Sequence, residues 1–169
     1  MPKERAAYNL RRAMAYSKKY KILGAPIPWK RAGVNSIHST NVTKSVIYDT
    51  QKGVKFQTGL EIIATHKNSR QFQGPLLFEA IFFCPIPATS KDRVPGMPVF
   101  TTPDVSNLQK YIEDVMTDCN IYIDDKQIAC VKCCKIYGSS SRSIIRISEQ
   151  DNTKNEWITE FLEHMDEKP

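Results

Sequence analysis

The most regular run of apolar and polar positions lies in the second half of the chain, where Val105, Leu108, Ile112, Val115 and Met116 recur at intervals of three and four. That spacing predicts an amphipathic helix over residues 105–117 with one buried stripe. On its polar face Ser106, Lys110 and Asp114 stack at i, i+4 and i+8. Asp104 stands just before the first turn, where unsatisfied N–H groups and the positive dipole end suit a carboxylate. After a short link, Tyr122 to Asp125 read as a strand, in which Asp124 and Asp125 would project to opposite sides unless the strand bends or has ended.

Elsewhere the pattern is coarser. Residues 76–84 are almost continuously apolar apart from Glu79, as expected of a central strand covered on both faces. Phe56, Leu60 and Ile63 sit at helical spacing and predict a core-facing helix over residues 54–66. Residues 20–27 and 46–48 read as short strands. Residues 126–137 and 142–148, joined by Gly138-Ser139-Ser140-Ser141, carry a hairpin signal. Five prolines between residues 85 and 103 forbid regular structure and predict a mobile loop leading to Asp104.

At the ends, residues 3–19 offer only the thin stripe Ala6, Leu10, Ala13 and Met14. Thr153-Lys154-Asn155-Glu156 resembles a capping box ahead of Trp157, Phe161, Leu162 and Met165, which predicts a terminal helix with an acidic outer face. Helices and strands mix without a regular βαβ alternation, so the expected fold is α+β, a single domain with a mixed β-sheet packed by helices. The expected division is a basic arm over 1–19, the main domain over 20–149 and the acidic amphipathic helix over 150–169.

Composition adds three points. The 169 residues and 41% apolar content suit one soluble domain, and no apolar run is long enough to cross a bilayer. With no secretory pattern at Met1 to Arg5, a cytoplasmic setting and no membrane partner are expected. Five cysteines, an odd number, argue for a reducing compartment; Cys130 and Cys133 have half of a zinc spacing with no second pair, which favours a strand with Ile128, Cys130, Cys134 and Ile136 on one side. The third point is charge. Residues 1–32 hold nine Lys and Arg against Glu4 alone, a balance of +8 in a chain of net +6. Such an arm fits phosphate backbones.

The residues around the predicted helix concentrate the chemistry. Clustered carboxylates repel, and a divalent cation with hard oxygen ligands relieves the repulsion, so a magnesium site is the natural reading of Asp104 with Asp125 or Asp124. The string Asp104-x-Ser106-Asn107-Leu108-x-Lys110, then Asp114, then Asp124-Asp125-x-Gln127-Ile128, resembles the signature of the RusA-like Holliday-junction resolvases. Weaker agreement spans residues 20–148 and includes Gly24-Ala25-Pro26-Ile27-Pro28, Lys30-Arg31 and Val46-Ile47-Tyr48-Asp49.

The resemblance implies a homodimer that cuts branched DNA, the four-way junction, with Asp104, Asp125 and Lys110 as catalytic residues and Mg2+ as cofactor, Mn2+ substituting. Metal ligands would come from Asp104, Asp125, Ser106 and Asp124. Phosphate contacts are expected from Lys30 and Arg31, from Arg11 and Arg12 on the arm, and from Lys91 and Arg93 in the proline-rich loop. One position departs from the family pattern: Ser106 stands where an aspartate is usual, and a neutral ligand lowers metal affinity. Either Asp114 or Asp124 replaces the missing charge, or Ser106 holds a metal-bound water, or the chain binds junctions without cutting them well. His38 and His66 have no evident partner.

Overall fold

The computed structural model describes residues 16–39, 42–150 and 165. In chain order these form β1 (Ser17–Leu23), β2 (Gly33–Ser39), β3 (Val42–Tyr48), α1 (Lys52–His66), β4 (Leu76–Cys84), α2 (Val105–Asp118), a single 3-10 turn (Asp125–Gln127), β5 (Ile128–Tyr137) and β6 (Arg142–Glu149). β1, β6, β4 and β5 lie side by side in that order in a four-stranded sheet, and β2 and β3 form a separate two-stranded ribbon. β4 runs parallel to β5 and antiparallel to β6, so the sheet is mixed as expected.

Both helices pack on one face of the sheet. The core joins Tyr20, Ile22, Phe78, Phe82, Ile145 and Ile147 from the strands to Leu108, Tyr111, Ile112, Val115 and Met116 of α2. Burying each of those large side chains contributes roughly 1.5–3 kcal/mol. The stripe expected for α2 is therefore the one it buries, with Val105 half-buried at its start.

Four expectations change. β4 is central, but its second face is uncovered: Ile81 is exposed, and Glu79 on that side pairs with Arg146 directly across from it on β6 at 2.5 Å. The charge in this apolar strand thus marks the open face. Second, α1 buries Thr58, Gly59 and Ile62, while Phe56, Leu60 and Ile63 are 67%, 46% and 51% exposed. The small residues win because they let α1 approach α2 closely; a Cβ on Gly59 would stand 3.0 Å from the Cys119 sulfur, and Thr58 Oγ1 meets the Tyr111 hydroxyl at 2.9 Å.

Third, β5 and β6 are not a hairpin, because β4 lies between them. The Gly138–Ser141 link passes over the end of β4, where the Gly138 N–H donates to the Cys84 carbonyl at 2.9 Å and a Cβ on Gly138 would meet Phe83 Cβ at 2.8 Å. Crossing two interstrand spacings, about 10 Å, is within reach of four residues. Fourth, the strand expected over 20–27 ends at Leu23, since Gly24 turns the chain at φ +87° and two prolines follow. A register shift near the start of β5 also sends Ile128 toward the core and leaves Cys134 exposed, so these two do not share a face.

The proline-rich segment before α2 has no helix or strand, but it is tied to the edge of β5. Gly96 N–H donates to the Tyr137 carbonyl at 2.8 Å, Tyr137 N–H to Met97 at 2.9 Å, and Val99 N–H to Lys135 at 3.1 Å. Val99 joins Cys84 and Tyr137 in a small second core. All five cysteines are unpaired thiols. Among the described residues no helix is long and apolar enough to cross a membrane. Of the expected basic arm over 1–19, residues 17–19 belong to β1, and residues 1–15, like nearly all of the expected C-terminal helix, lie outside the described residues.

Candidate active site

The start of α2 is held from two sides. Trp29 N–H donates to the Asn107 carbonyl at 2.8 Å, binding the Gly24–Arg31 stretch to the first turn. Lys135 of β5 donates its ammonium to the Pro103 carbonyl at 2.6 Å, and to that of Thr101 as well. Asp104 is the N-cap of α2, in extended backbone conformation, yet its side chain makes no capping hydrogen bond. Asp104 is exposed, as is Ser106 two residues on. The Asp104 oxygens are therefore open to solvent at the start of the helix.

Lys110 is where the fold brings distant residues together. Its ammonium stands 3.0 Å from Asp114 Oδ1, one turn further along α2, and 3.0 Å from Asp125 Oδ2 at the start of the 3-10 turn. Asp114 extends the chain of charges to Lys55 of α1 at 3.4 Å, and Lys55 meets Asp49 at 3.2 Å. Five alternating acids and bases thus run from the end of β3 through both helices to Asp125. The Asp125 and then the Asp114 contacts push the Lys110 pKa up to about 12, so the ammonium keeps its proton at any physiological pH. Burial works against the Lys55 charge, but Asp49 and Asp114 together hold its pKa above the ordinary value. The Gln51 N–H, ahead of Lys55, holds the Asp49 carboxyl below the usual range.

Asp49 and Lys55 are the members that helix and strand patterning does not single out. A signal for them exists: α1 carries Lys52 and Lys55 in its first turn and no acid there, against the helix dipole. Cations in that position call for anionic partners. Gln51, the N-cap of α1, also spends no side-chain bond on capping; its amide oxygen accepts from Lys30 N–H at 2.7 Å and its amide nitrogen donates to the Pro28 carbonyl at 2.9 Å. The loop bearing Lys30 and Arg31 is thereby fastened beside both helix starts.

Asp124 does not lie in the strand expected over Tyr122 to Asp125. No strand has begun there. Asp124 caps the 3-10 turn, its carboxylate accepting the Lys126 N–H at 2.9 Å, while Gln127 Oε1 accepts from Asp124 N–H at 3.3 Å, closing a capping box, and from Ile123 N–H at 2.8 Å. That Lys126 N–H depresses the Asp124 pKa, and the Lys126 ammonium lies 3.3 Å away. Asp114 is likewise engaged, between two lysines. Both carboxylates thus already carry cationic or N–H partners, as Asp125 does.

Of the expected phosphate contacts, Lys30, Arg31 and Lys91 are exposed. Arg93 is not loose: its guanidinium lies 5.1 Å from the Tyr137 ring centroid and 5.7 Å from that of Phe100, and it donates to the Tyr137 hydroxyl. Trp29 packs on the edge of the core. Arg11 and Arg12 lie outside the described residues.

The donor types fit magnesium, since Asp104, Ser106 and Asp125 offer hard oxygens and the cysteines lie on other elements. Lys110 already supplies a cation to Asp125, which a metal would share or displace. Among the described residues no group of three or more His, Cys, Asp and Glu is arranged to hold a metal ion. Compared with known proteins, residues 24–148 match the family described as endodeoxyribonuclease RusA. No curated protein matches the chain.

Proposed function

The chain belongs to the endodeoxyribonuclease RusA family, and from that membership we propose that it is a structure-selective, magnesium-dependent endonuclease that resolves four-way DNA junctions in recombination and repair. The observation supporting this reading most directly is that the matched span carries Asp104, Lys110 and Asp125, with Lys110 reaching Asp125 across fifteen residues of sequence. Magnesium held by Asp104 and Asp125 with the Ser106 hydroxyl, or manganese in its place, would offset charge developing on the phosphate and activate a water.

The protein's own groups do the rest. Lys110, charged throughout the working pH range, places an ammonium beside the reacting phosphate. Asp114 and Lys55 brace that ammonium from behind, and Asp124 shapes the turn that presents Asp125. Lys30, Arg31 and Lys91 lend affinity to the DNA backbone without reading sequence. A four-way junction has approximate two-fold symmetry, so a C2 homodimer offers one site to each of two opposing strands.

Asp104→Asn is expected to lower cutting of a synthetic four-way junction in magnesium by at least about 100-fold while leaving junction binding intact. A second reading, a branched-DNA binding protein with little or no cutting, is favoured by Ser106, a neutral side chain where the family pattern has an aspartate. A parent chain that binds junctions but leaves them uncut in magnesium and manganese would establish it. Ser106→Asp then discriminates further, because a gain in rate identifies position 106 as limiting.

A further inference from the structure

The described residues leave one face of the sheet open, and the side chains on it fall into ordered rows across the strands. Lys19, Arg146, Glu79 and Lys132 form one row, and Lys21, Ile144, Ile81 and Cys134 the next. Leu23, Arg142, Phe83 and Ile136 form a third, in which the Arg142 guanidinium lies 3.8 Å from the Phe83 ring centroid. The middle strands β6 and β4 thus supply an apolar floor at Ile144 and Ile81, the latter 39% exposed, while the edge strands β1 and β5 carry Lys19, Lys21 and Lys132 on its rims. A depression of about 500 Å³ lies over this floor. Lys19, Lys21, Lys132, Arg142 and Arg146 against Glu79 give the three rows a balance of +4. We propose that residues 151–164 form an amphipathic helix that lies on this face and seats Trp157, Ile158, Phe161 and Leu162 over Ile81 and Ile144.

Charge, reach and length support that occupant. Residues 151–169 hold six acids against Lys154 and Lys168, a balance of −4, so segment and face offset each other. β6 is a middle strand and ends at Glu149, and the Gln150 N–H donates to the Pro75 carbonyl at 2.8 Å, immediately before β4. The chain therefore leaves the sheet between the two strands that form the floor, and the short link 151–153 has only to fold it back over them. With the helix start set by the capping box of Thr153 and Glu156, residues 154–164 span about 16 Å, close to the roughly 14 Å across four strands. Met165 lies in a turn and is 56% exposed, so the seated part ends before it. Other pairings fit less well. The groove between α1 and α2 is on the other side of the sheet and is bordered by Asp49, Lys52, Lys55 and Asp118, whose signs cancel, so it offers an acidic segment no net attraction. A second copy of the open face would set +4 against +4, and DNA would answer the charge but leave the apolar floor uncovered. The matched family span ends at residue 148, so the nuclease reading neither requires this helix nor supports it.

A helix this short is marginal in water by itself, so slow amide exchange within it measures docking. Hydrogen exchange of the full chain is expected to show residues 157–164 slowed at least roughly 10-fold relative to an unstructured chain. Ile81→Lys should abolish that protection while the strands keep theirs, and Phe56→Arg, on α1, should leave it unchanged. Leu162→Glu, a change within the segment, should release it and raise the binding of an apolar fluorescent dye at least roughly twofold by baring the floor. Free exchange over 157–164 in the parent chain overturns the proposal, as does protection that survives Ile81→Lys. Protection lost in Phe56→Arg instead would put the segment over α1. Junction affinity lowered by Lys19→Glu, with 157–164 exchanging freely, would give the face to DNA.

Discussion

The two helices are nearly equal in length and pack on the same face of the sheet, yet their apolar stripes have opposite fates. α2 directs Leu108, Ile112, Val115 and Met116 into the core, where each is at most 3% exposed. α1 turns Phe56, Leu60 and Ile63 outward and presents Thr58, Gly59 and Ile62 to its neighbour. Periodicity identifies a stripe, but what covers that stripe is a question of which other surfaces are available. A face of small residues can win the inner position because close approach recovers in contact what it lacks in side-chain area. The polar faces are joined rather than contrasted, since Lys55 of α1 and Lys110 of α2 share Asp114.

The contrast is sharpest in truncations. Leu108→Ala should cost about 2–5 kcal/mol by urea denaturation, as for other cavities in packed cores, whereas Phe56→Ala, assayed at concentrations where the chain is monomeric, should stay within about 0.5 kcal/mol. Equal losses would mean that α1 is not turned as described. Next in size, Gly59→Val should cost about 1–3 kcal/mol by forcing α1 away from Cys119 and Tyr111. A neutral result would remove close helix approach as the reason for the outward stripe.

The charged connection between the helices should be weaker. Asp114→Asn and Lys110→Met are each expected to cost no more than about 1 kcal/mol, with a double-mutant coupling of a few tenths, because Lys110 is well exposed to solvent. Lys110 titrates near 12, so the stability its pairing contributes is fully present below its unfolded pKa and is lost only as pH rises through about 12. A break in stability with pH at 8 or 9 would have to come from elsewhere.

The smallest effect expected is at His66, in the last turn of α1. Its Nδ1 lies 2.7 Å from the Tyr20 hydroxyl, a partner that sequence spacing did not reveal. Burial, and secondarily the Lys18 charge, holds the imidazole below its ordinary pKa. The folded state therefore favours neutral His66. That contribution is present above the unfolded pKa and fades as pH falls through the folded one. A shallow loss of thermal stability below about pH 6.5 should be flattened in His66→Gln. An unchanged slope would assign the acid sensitivity to carboxylates.

Legibility from sequence divides along the same physical line. α2 was plain because its single apolar stripe and the surface that covers it demand the same residues. The 3-10 turn is legible too, since Asp124-x-x-Gln127 is a local capping signature in its own right. The supposed β5–β6 hairpin was not readable in that way. Its turn chemistry is sound, yet β4 is the most apolar strand and occupies the place between them. Lys55 is visible as a cation in a helix start, while its pairing with Asp114 is not, because that meeting depends on how two helices pack.

By itself the amino-acid order determined what short-range forces decide: the helix after Asp104, the mixture of helices and strands, the i to i+4 contact of Lys110 with Asp114, and the family signature. Only the folded chain decided which face of α1 points outward, which strands are neighbours, and that Lys110 reaches Asp125. Those outcomes depend on competition among surfaces far apart in sequence, where total burial and close packing prevail over the preference of any one segment.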